Sequence, residues 1–340
     1  MRKDIAEFAI AFNDIAYERK SIDRILWGYP DLDYYTKGIE KGLTIVEADT
    51  NMGKSVLTMQ VLQNVSKQGY KACVFASEHT NESYKRLVMQ QNGKKGDFEL
   101  VPFKDTSGCD TNIADWYVTR EIEQNVENNL GKNIILFNSN KKERDVVTII
   151  QWIEYCHEQY GCKFCLLDNF TELDNRSSDV FQGQTTMLSQ IRDTFLRLGM
   201  MGVLVMHINK ESASNGFRLT VKSASGTSNA GNKAYNVVAL YRKDCIYVAK
   251  GQEKMLDKFI QDCAKCGFSY ETCDGFLEVL KTKGNGNGIV GLIYDPETKT
   301  YRQAPKISKT EADKIFKATK KSVLDSNRWE DMDDEECPFE

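Results

Sequence analysis

Residues 43–48 are apolar at almost every position and run into a polar, glycine-containing stretch, after which apolar residues recur every three to four positions as far as 66. The first pattern is that of a strand buried on both faces; the second is that of a helix lying on it. The same pair of signatures returns along the chain. It predicts strands at 71–77, 133–137, 164–168, 203–207 and 235–241. Helices are predicted at 53–66, 82–92, 113–128 and 146–159, with one more holding Leu188, Ile191, Phe195 and Leu198. Strands 276–281 and 289–294 follow. Such alternation gives an α/β fold, a mostly parallel sheet with helices on both faces. Upstream, Ile5, Phe8, Ala9, Phe12, Ile15 and Ala16 share one helical face, which makes residues 1–20 a linker helix with an apolar stripe. Residues 21–305 are then the main domain. The last part, 306–340, is a Lys-rich helix (306–322) followed by an acidic tail too charged to fold alone.

Composition narrows the setting. The 340 residues are 41% apolar and 28% charged, with no apolar run long enough to cross a bilayer. A cytoplasmic protein without membrane contact is expected. The net charge of −4 includes seven carboxylates in 330–340; with those set aside, the rest of the chain is mildly basic, compatible with a nucleic-acid groove but not requiring one. Ten cysteines in such a setting are expected as thiols rather than as disulfides.

The polar stretch after 43–48 carries the chemistry. Asp49, Thr50, Asn51, Met52, Gly53, Lys54 and Ser55 join a strand to a helix. Gly53 lets the backbone amides curl around a polyphosphate, Lys54 neutralises it, the Ser55 hydroxyl can ligate Mg²⁺, and the helix N-terminus adds partial positive charge. Ala48 stands where the strict phosphate-loop pattern has its first glycine. Other strand ends carry matching chemistry: Glu78 could polarise an attacking water, Asp168 could hold the Mg²⁺ shell, and His207 could sense a γ-phosphate.

Together these motifs resemble the RecA-like motor domain of superfamily 4 replicative ring helicases, the group that includes bacterial DnaB, mitochondrial Twinkle and the helicase half of phage primase-helicases. The resemblance covers about residues 1–300. The lead-in from Gly28 to Leu43, Met52-Gly53-Lys54, Ser77-Glu78, Leu167-Asp168 and the stretch from His207 to Glu211 each match a motif in order. The segment from Ser225-Gly226-Thr227 to Asn236-Val237-Val238 is similar in spacing to Twinkle's fourth motif, with Asn232 in place of glutamine.

The resemblance implies a homo-oligomeric ring, a hexamer, that hydrolyses ATP or dTTP with Mg²⁺ and moves along single-stranded DNA. It makes Glu78 the catalytic base, places Lys281 and Lys283 where the family has a Lys-x-Arg finger reaching the neighbouring subunit's nucleotide, and sets Arg242 and Tyr294 beside the base. Lysine at 283 keeps the finger's charge but loses its planar fork. DNA contact is expected from the loop 211–226 through Arg218, Lys222 and Gly226, with 175–184 a second candidate. The linker helix would dock on the adjacent subunit; packing on its own domain is the alternative. With no primase domain in this sequence, a separate primase is expected as partner. A DNA polymerase is another, through the acidic tail 329–340 that closes on Pro338-Phe339. Likeness to phage enzymes points to a phage-encoded protein acting in a bacterial host.

Two readings stay open. Cys245, Cys263, Cys266 and Cys273 include one CxxC, which suits half of a zinc site, but ordinary thiols fit the lack of a second pair better. A RecA-like recombinase or regulatory DNA-dependent ATPase would share most of these motifs without unwinding DNA, and an inactive adaptor would share the fold alone.

Overall fold

The computed structural model describes residues 24–93, 98–104, 110–118, 120–138, 144–174, 180–208, 217–223, 230–246, 248 and 252–318. The expected linker helix 1–20 and the tail 329–340 lie outside them. Eleven strands are described: β1 Gly42–Ala48, β2 Ala72–Ala76, β3 Phe98–Lys104, β4 Asp110–Val118, β5 Ile134–Leu136, β6 Phe164–Asp168, β7 Met201–His207, β8 Asn236–Arg242, β9 Gly275–Lys281, β10 Ile289–Asp295 and β11 Thr300–Gln303. The helices are α1 Pro30–Thr36, α2 Lys54–Lys67, α3 Asn81–Asn92, α4 Arg120–Asn129, α5 Val146–Tyr160, α6 Val180–Leu198, α7 Ala230–Lys233, α8 Glu253–Lys265 and α9 at 309–318.

Nine strands form one sheet in the order β5-β2-β6-β7-β1-β8-β9-β10-β11. From β5 to β8 all pairings are parallel; β9, β10 and β11 are added antiparallel. Alternate residues of each central strand enter opposite cores. Val46, Leu166, Val203 and Val205 pack on the side of α2, whereas Ile45, Leu167, Leu204 and Met206 pack with Ile149, Ile153, Leu188 and Ile191 of α5 and α6. This RecA-like α/β arrangement follows from burial on both faces, which the apolar runs required.

The helix boundaries have local causes. Thr80 caps α3 by accepting a hydrogen bond from Ser83 N (3.1 Å), and Asp145 caps α5 through Val147 N and Thr148 N. The lead-in is tied down as well: Asp33 accepts from Trp27 N (2.7 Å) and Gly28 N (3.1 Å), while Asn64 Nδ2 donates to Trp27 O (2.8 Å). That fixes residues 27–36 against α2, the helix that starts at the phosphate loop.

The expected helix 113–128 is corrected. Residues 110–118 are strand β4, paired antiparallel with β3, and the helix begins only at Arg120. Trp116, Tyr117 and Val118 favour extended backbone, whereas in 120–129 Ile122 and Val126 are buried four apart and support a helix. The Lys-rich helix expected over 306–322 is described as helical at 309–318.

Glu47, on β1, is completely buried and neither carboxylate oxygen has a hydrogen-bond partner. Burial pushes its pKa up to about 8, so the native strand holds it as a neutral acid. No described helix is long and apolar enough to cross a membrane.

Candidate functional site

The C-terminal ends of β2, β6, β7 and β1 lie side by side, and the chain leaves each of them toward the same edge of the sheet. After β1 the chain turns through Asn51 and Gly53, both with positive φ (63° and 85°), into α2. At Gly53 a Cβ would come within 2.7 Å of the Tyr301 hydroxyl, so the turn demands glycine for space as well as for conformation. Thr50 N donates to Asp49 Oδ1 (2.7 Å), and Met52 packs into the core while its sulfur accepts from Arg242 N (3.3 Å). Thr50, Asn51, Gly53, Lys54 and Ser55 line a cleft of about 700 Å³.

Lys54 is buried, and its Nζ donates to Ala48 O (3.2 Å), Asp49 O (2.7 Å) and Nδ1 of His207 (3.1 Å). Burial lowers its pKa, and the nearby Glu78, Asp168 and Asp49 oppose that shift. An ammonium has no acceptor, so Nδ1 of His207 must accept and the ring proton sits on Nε2. Nε2 then donates to Glu78 Oε1 (2.9 Å). Glu78 Oε1 also accepts from Asn169 Nδ2 (2.9 Å). Partial burial raises the Glu78 pKa, but the donors His207 and Asn169 and the charge of Lys54 outweigh it, and the carboxyl lies below its ordinary range. It is an ionised acceptor held at the cleft wall, the state a base requires.

Asp168 is buried beside this chain of contacts. Burial raises its pKa against a hydrogen bond from Ser55, and its Oδ2 has no partner. An orphaned carboxylate oxygen next to a hydroxyl is a pair of hard oxygen donors, which fits Mg²⁺ and little else. Sequence reasoning missed Asn169. It follows Asp168 directly, and nothing in its residue type distinguishes a buried amide from a turn residue. Lys299, in the same cleft wall with φ 49°, was missed as well.

Arg242 and Tyr294 border the cleft from the antiparallel side. The Arg242 guanidinium carbon lies 5.6 Å from the Tyr294 ring centroid, and Tyr294 packs on Tyr301 at 5.0 Å. Arg242 also pairs with Asp244.

Lys281 and Lys283 are not brought to this cleft. Since β9 runs antiparallel to β8, with Lys281 opposite Val237 and Gly275 opposite Arg242, both lysines sit where the parallel strands begin. Lys281 Nζ donates to Gly231 O (2.7 Å) and Asn232 O (3.1 Å), and Lys283 Nζ lies over the Tyr235 ring at 4.1 Å. Their own subunit's phosphate loop is at the opposite end of the sheet.

Arg218 corrects an expectation. Instead of presenting a free cation, it is half-buried between Glu278 (2.8 Å) and Asp262 (2.8 Å) and stacks on Phe259. Burial acts against its charge, but the two carboxylates more than compensate and raise its pKa. Glu278 is further held by the Tyr241 hydroxyl (2.9 Å). Lys222 is exposed on an adjacent turn; Gly226 and most of 211–226 lie outside the described residues. Of the four cysteines weighed as zinc ligands, Cys263 and Cys273 are buried in the core, Cys266 Sγ accepts from Ile289 N (3.2 Å), and Cys245 ends a short helical turn after β8. No group of three or more His, Cys, Asp or Glu among the described residues is placed to hold a metal ion.

A family model, that of the DnaB-like helicase C-terminal domain, matches residues 25–195, half of the chain. The chain belongs to the DnaB-like helicase C-terminal domain family. The matched part of this DnaB-like chain includes the phosphate loop, Glu78 and Asp168, and ends before β7. No curated protein matches the sequence. Among solved structures, one described as an isolated ATPase domain aligns with a TM-score of 0.61 at 15% identity, covering 84% of this chain and 93% of that one. A DnaB-like replicative helicase, described with its interactions with primase, aligns with a TM-score of 0.63 at 13% identity over 89% of this chain and 68% of that one. Both likenesses concern the fold, and they extend it past residue 195 into the antiparallel strands.

Proposed function

We propose that this DnaB-like chain is a replicative DNA helicase motor, a ring of six copies that couples hydrolysis of ATP or dTTP to movement along single-stranded DNA and to strand separation. The observation that carries this reading is the unbroken set of contacts Lys54–His207–Glu78 across three neighbouring strand ends, with Ser55 and Asp168 beneath it. A nucleotide's phosphates would be held by Lys54 and the amides of 50–55. Ser55 and Asp168 would hold Mg²⁺, which supplies charge neutralisation on the phosphates. Glu78 would take a proton from the attacking water. His207 joins the phosphate-binding lysine to that base, so loss of the γ-phosphate is felt at the strand end from which loop 209–216 departs.

Arg242 and Tyr294 would flank the nucleotide base, and Lys283 of one copy would serve the nucleotide of the next. Lys222 and Gly226 remain the proposed DNA contacts; Arg218 would instead brace the loop's far end through its ion pairs. Partners would be a separate primase and a DNA polymerase, the latter through residues 329–340. The deciding experiment is unwinding of a forked duplex beside DNA-stimulated hydrolysis. Both activities together are expected. Hydrolysis without unwinding would leave a recombinase-like or regulatory ATPase, and no hydrolysis an adaptor.

A further inference from the structure

We infer that Asn169 is a positioning residue that fixes Glu78 as the base, a role that rests on Glu78 being the base. Asn169 is fully buried, and its side chain is committed at both ends. Its Oδ1 accepts from Thr171 N (2.8 Å) and from the Thr171 hydroxyl. With the oxygen so engaged, only the NH₂ group can face Glu78, and Nδ2 donates to Glu78 Oε1 at 2.9 Å. The amide orientation is therefore set by the helical turn Phe170–Glu172 and not by Glu78.

The backbone supports the same join. Asn169 N donates to Ser77 Oγ (3.0 Å), and Ser77 N donates to Asp168 O (2.6 Å), so the residues before Glu78 and around Asp168 are tied across β2 and β6. His207 bonds the same carboxylate oxygen, but it also touches Lys54, whose place changes when phosphates arrive. Asn169 has no such second allegiance. It keeps Oε1 fixed through the cycle while Oε2 is left for the proton of water. A donor on Oε1 also favours the ionised carboxylate. Asn169 thus sets both the place and the charge of the base without touching the nucleotide.

The test compares steady-state hydrolysis in the full-length protein with DNA for the wild type, Asn169→Ala, Asn169→Asp, Thr171→Val and Glu78→Gln, with binding of a fluorescent nucleotide as the check on folding. In Asn169→Ala, kcat is expected to fall about tenfold or more with KM within about twofold, and the acid limb of the kcat–pH profile should move to higher pH. Asn169→Asp places an oxygen against Glu78 and should be worse than alanine. Thr171→Val frees the amide to rotate and should shift the same limb by less; it carries the test if the Asn169 variants do not fold. A wild-type kcat and an unmoved acid limb in Asn169→Ala or, where the Asn169 variants do not fold, in Thr171→Val, beside lost turnover in Glu78→Gln, would overturn the role of Asn169 and leave Glu78 as the base. Normal turnover in Glu78→Gln would overturn the assignment of Glu78 itself.

Discussion

Lys54 Nζ rests 3.1 Å from Nδ1 of His207, a contact between residues 153 positions apart that spans the ends of β1 and β7. It decides the histidine's tautomer, and through Nε2 it reaches Glu78. Phosphates that draw Lys54 away would remove the donor from Nδ1 and alter what Glu78 feels. In the Glu78→Gln variant the shape of this chain is kept but the base is lost. Nucleotide affinity is expected to stay within about threefold while hydrolysis falls at least ~100-fold, as measured by equilibrium titration and phosphate release.

Glu47 makes stability depend on pH. Folded, it keeps its proton up to about pH 8; unfolded, it releases it near 4.5. Between those values the native state binds more protons than the unfolded chain, so stability falls as pH rises through the window and levels off above it. Glu47→Gln cannot ionise. Its melting temperature should match the wild type at pH 4.5 and exceed it by on the order of 5 °C at pH 8, the ceiling being ~1.4 kcal/mol per pH unit. A constant difference across the range would show that Glu47 does not titrate on unfolding.

Gly53 is constrained twice, by φ of 85° and by the Tyr301 hydroxyl. Gly53→Ala should cost about 1–3 kcal/mol and abolish nucleotide binding. Adding Tyr301→Phe removes the nearest atom, and thermal melts should then recover part of the stability but not the binding, because the backbone strain stays.

Much of this was legible in the sequence because burial on both faces writes continuous apolar runs. The strands from β1 to β8 in the large sheet could be placed within a residue or two, and with them the ends that carry Lys54, Glu78, Asp168 and His207. What the sequence hid depends on partners distant in the chain. Arg218 reads as a loop cation until Glu278 and Asp262 fold against it. Asn169 reads as a turn residue until its amide meets Glu78. Residues 113–118 carry apolar spacing that suits a helix or a strand, and only pairing with β3 decides between them.

Lys283 can be tested by mixing. Lys283→Ala and Lys54→Ala subunits are each expected to be inactive, because one lacks the finger and the other the phosphate contact. Mixed rings would contain interfaces with an intact Lys283 facing an intact Lys54, and phosphate release should recover to a fraction set by the mixing ratio. Absence of recovery in rings shown to be mixed would remove Lys283 from the neighbour's site.

The acidic segment 329–340 predicts a separable contact. Deleting it should leave DNA-stimulated hydrolysis within about twofold while weakening binding to the polymerase at moderate salt, and Phe339→Ala should reproduce much of that loss. Equal affinity of truncated and full chains by surface binding would make the segment a solubiliser.

The position of Lys283, at the end of the sheet where the parallel strands start, has a consequence for rate laws. A copy that keeps its phosphate loop at one end of the sheet and its lysine at the other cannot complete itself, and two copies related by a simple dyad would not pass the lysine along in one direction. Turnover per copy should therefore vanish on dilution and rise with a steep power of protein concentration before reaching a plateau, so that specific activity reports assembly before it reports chemistry.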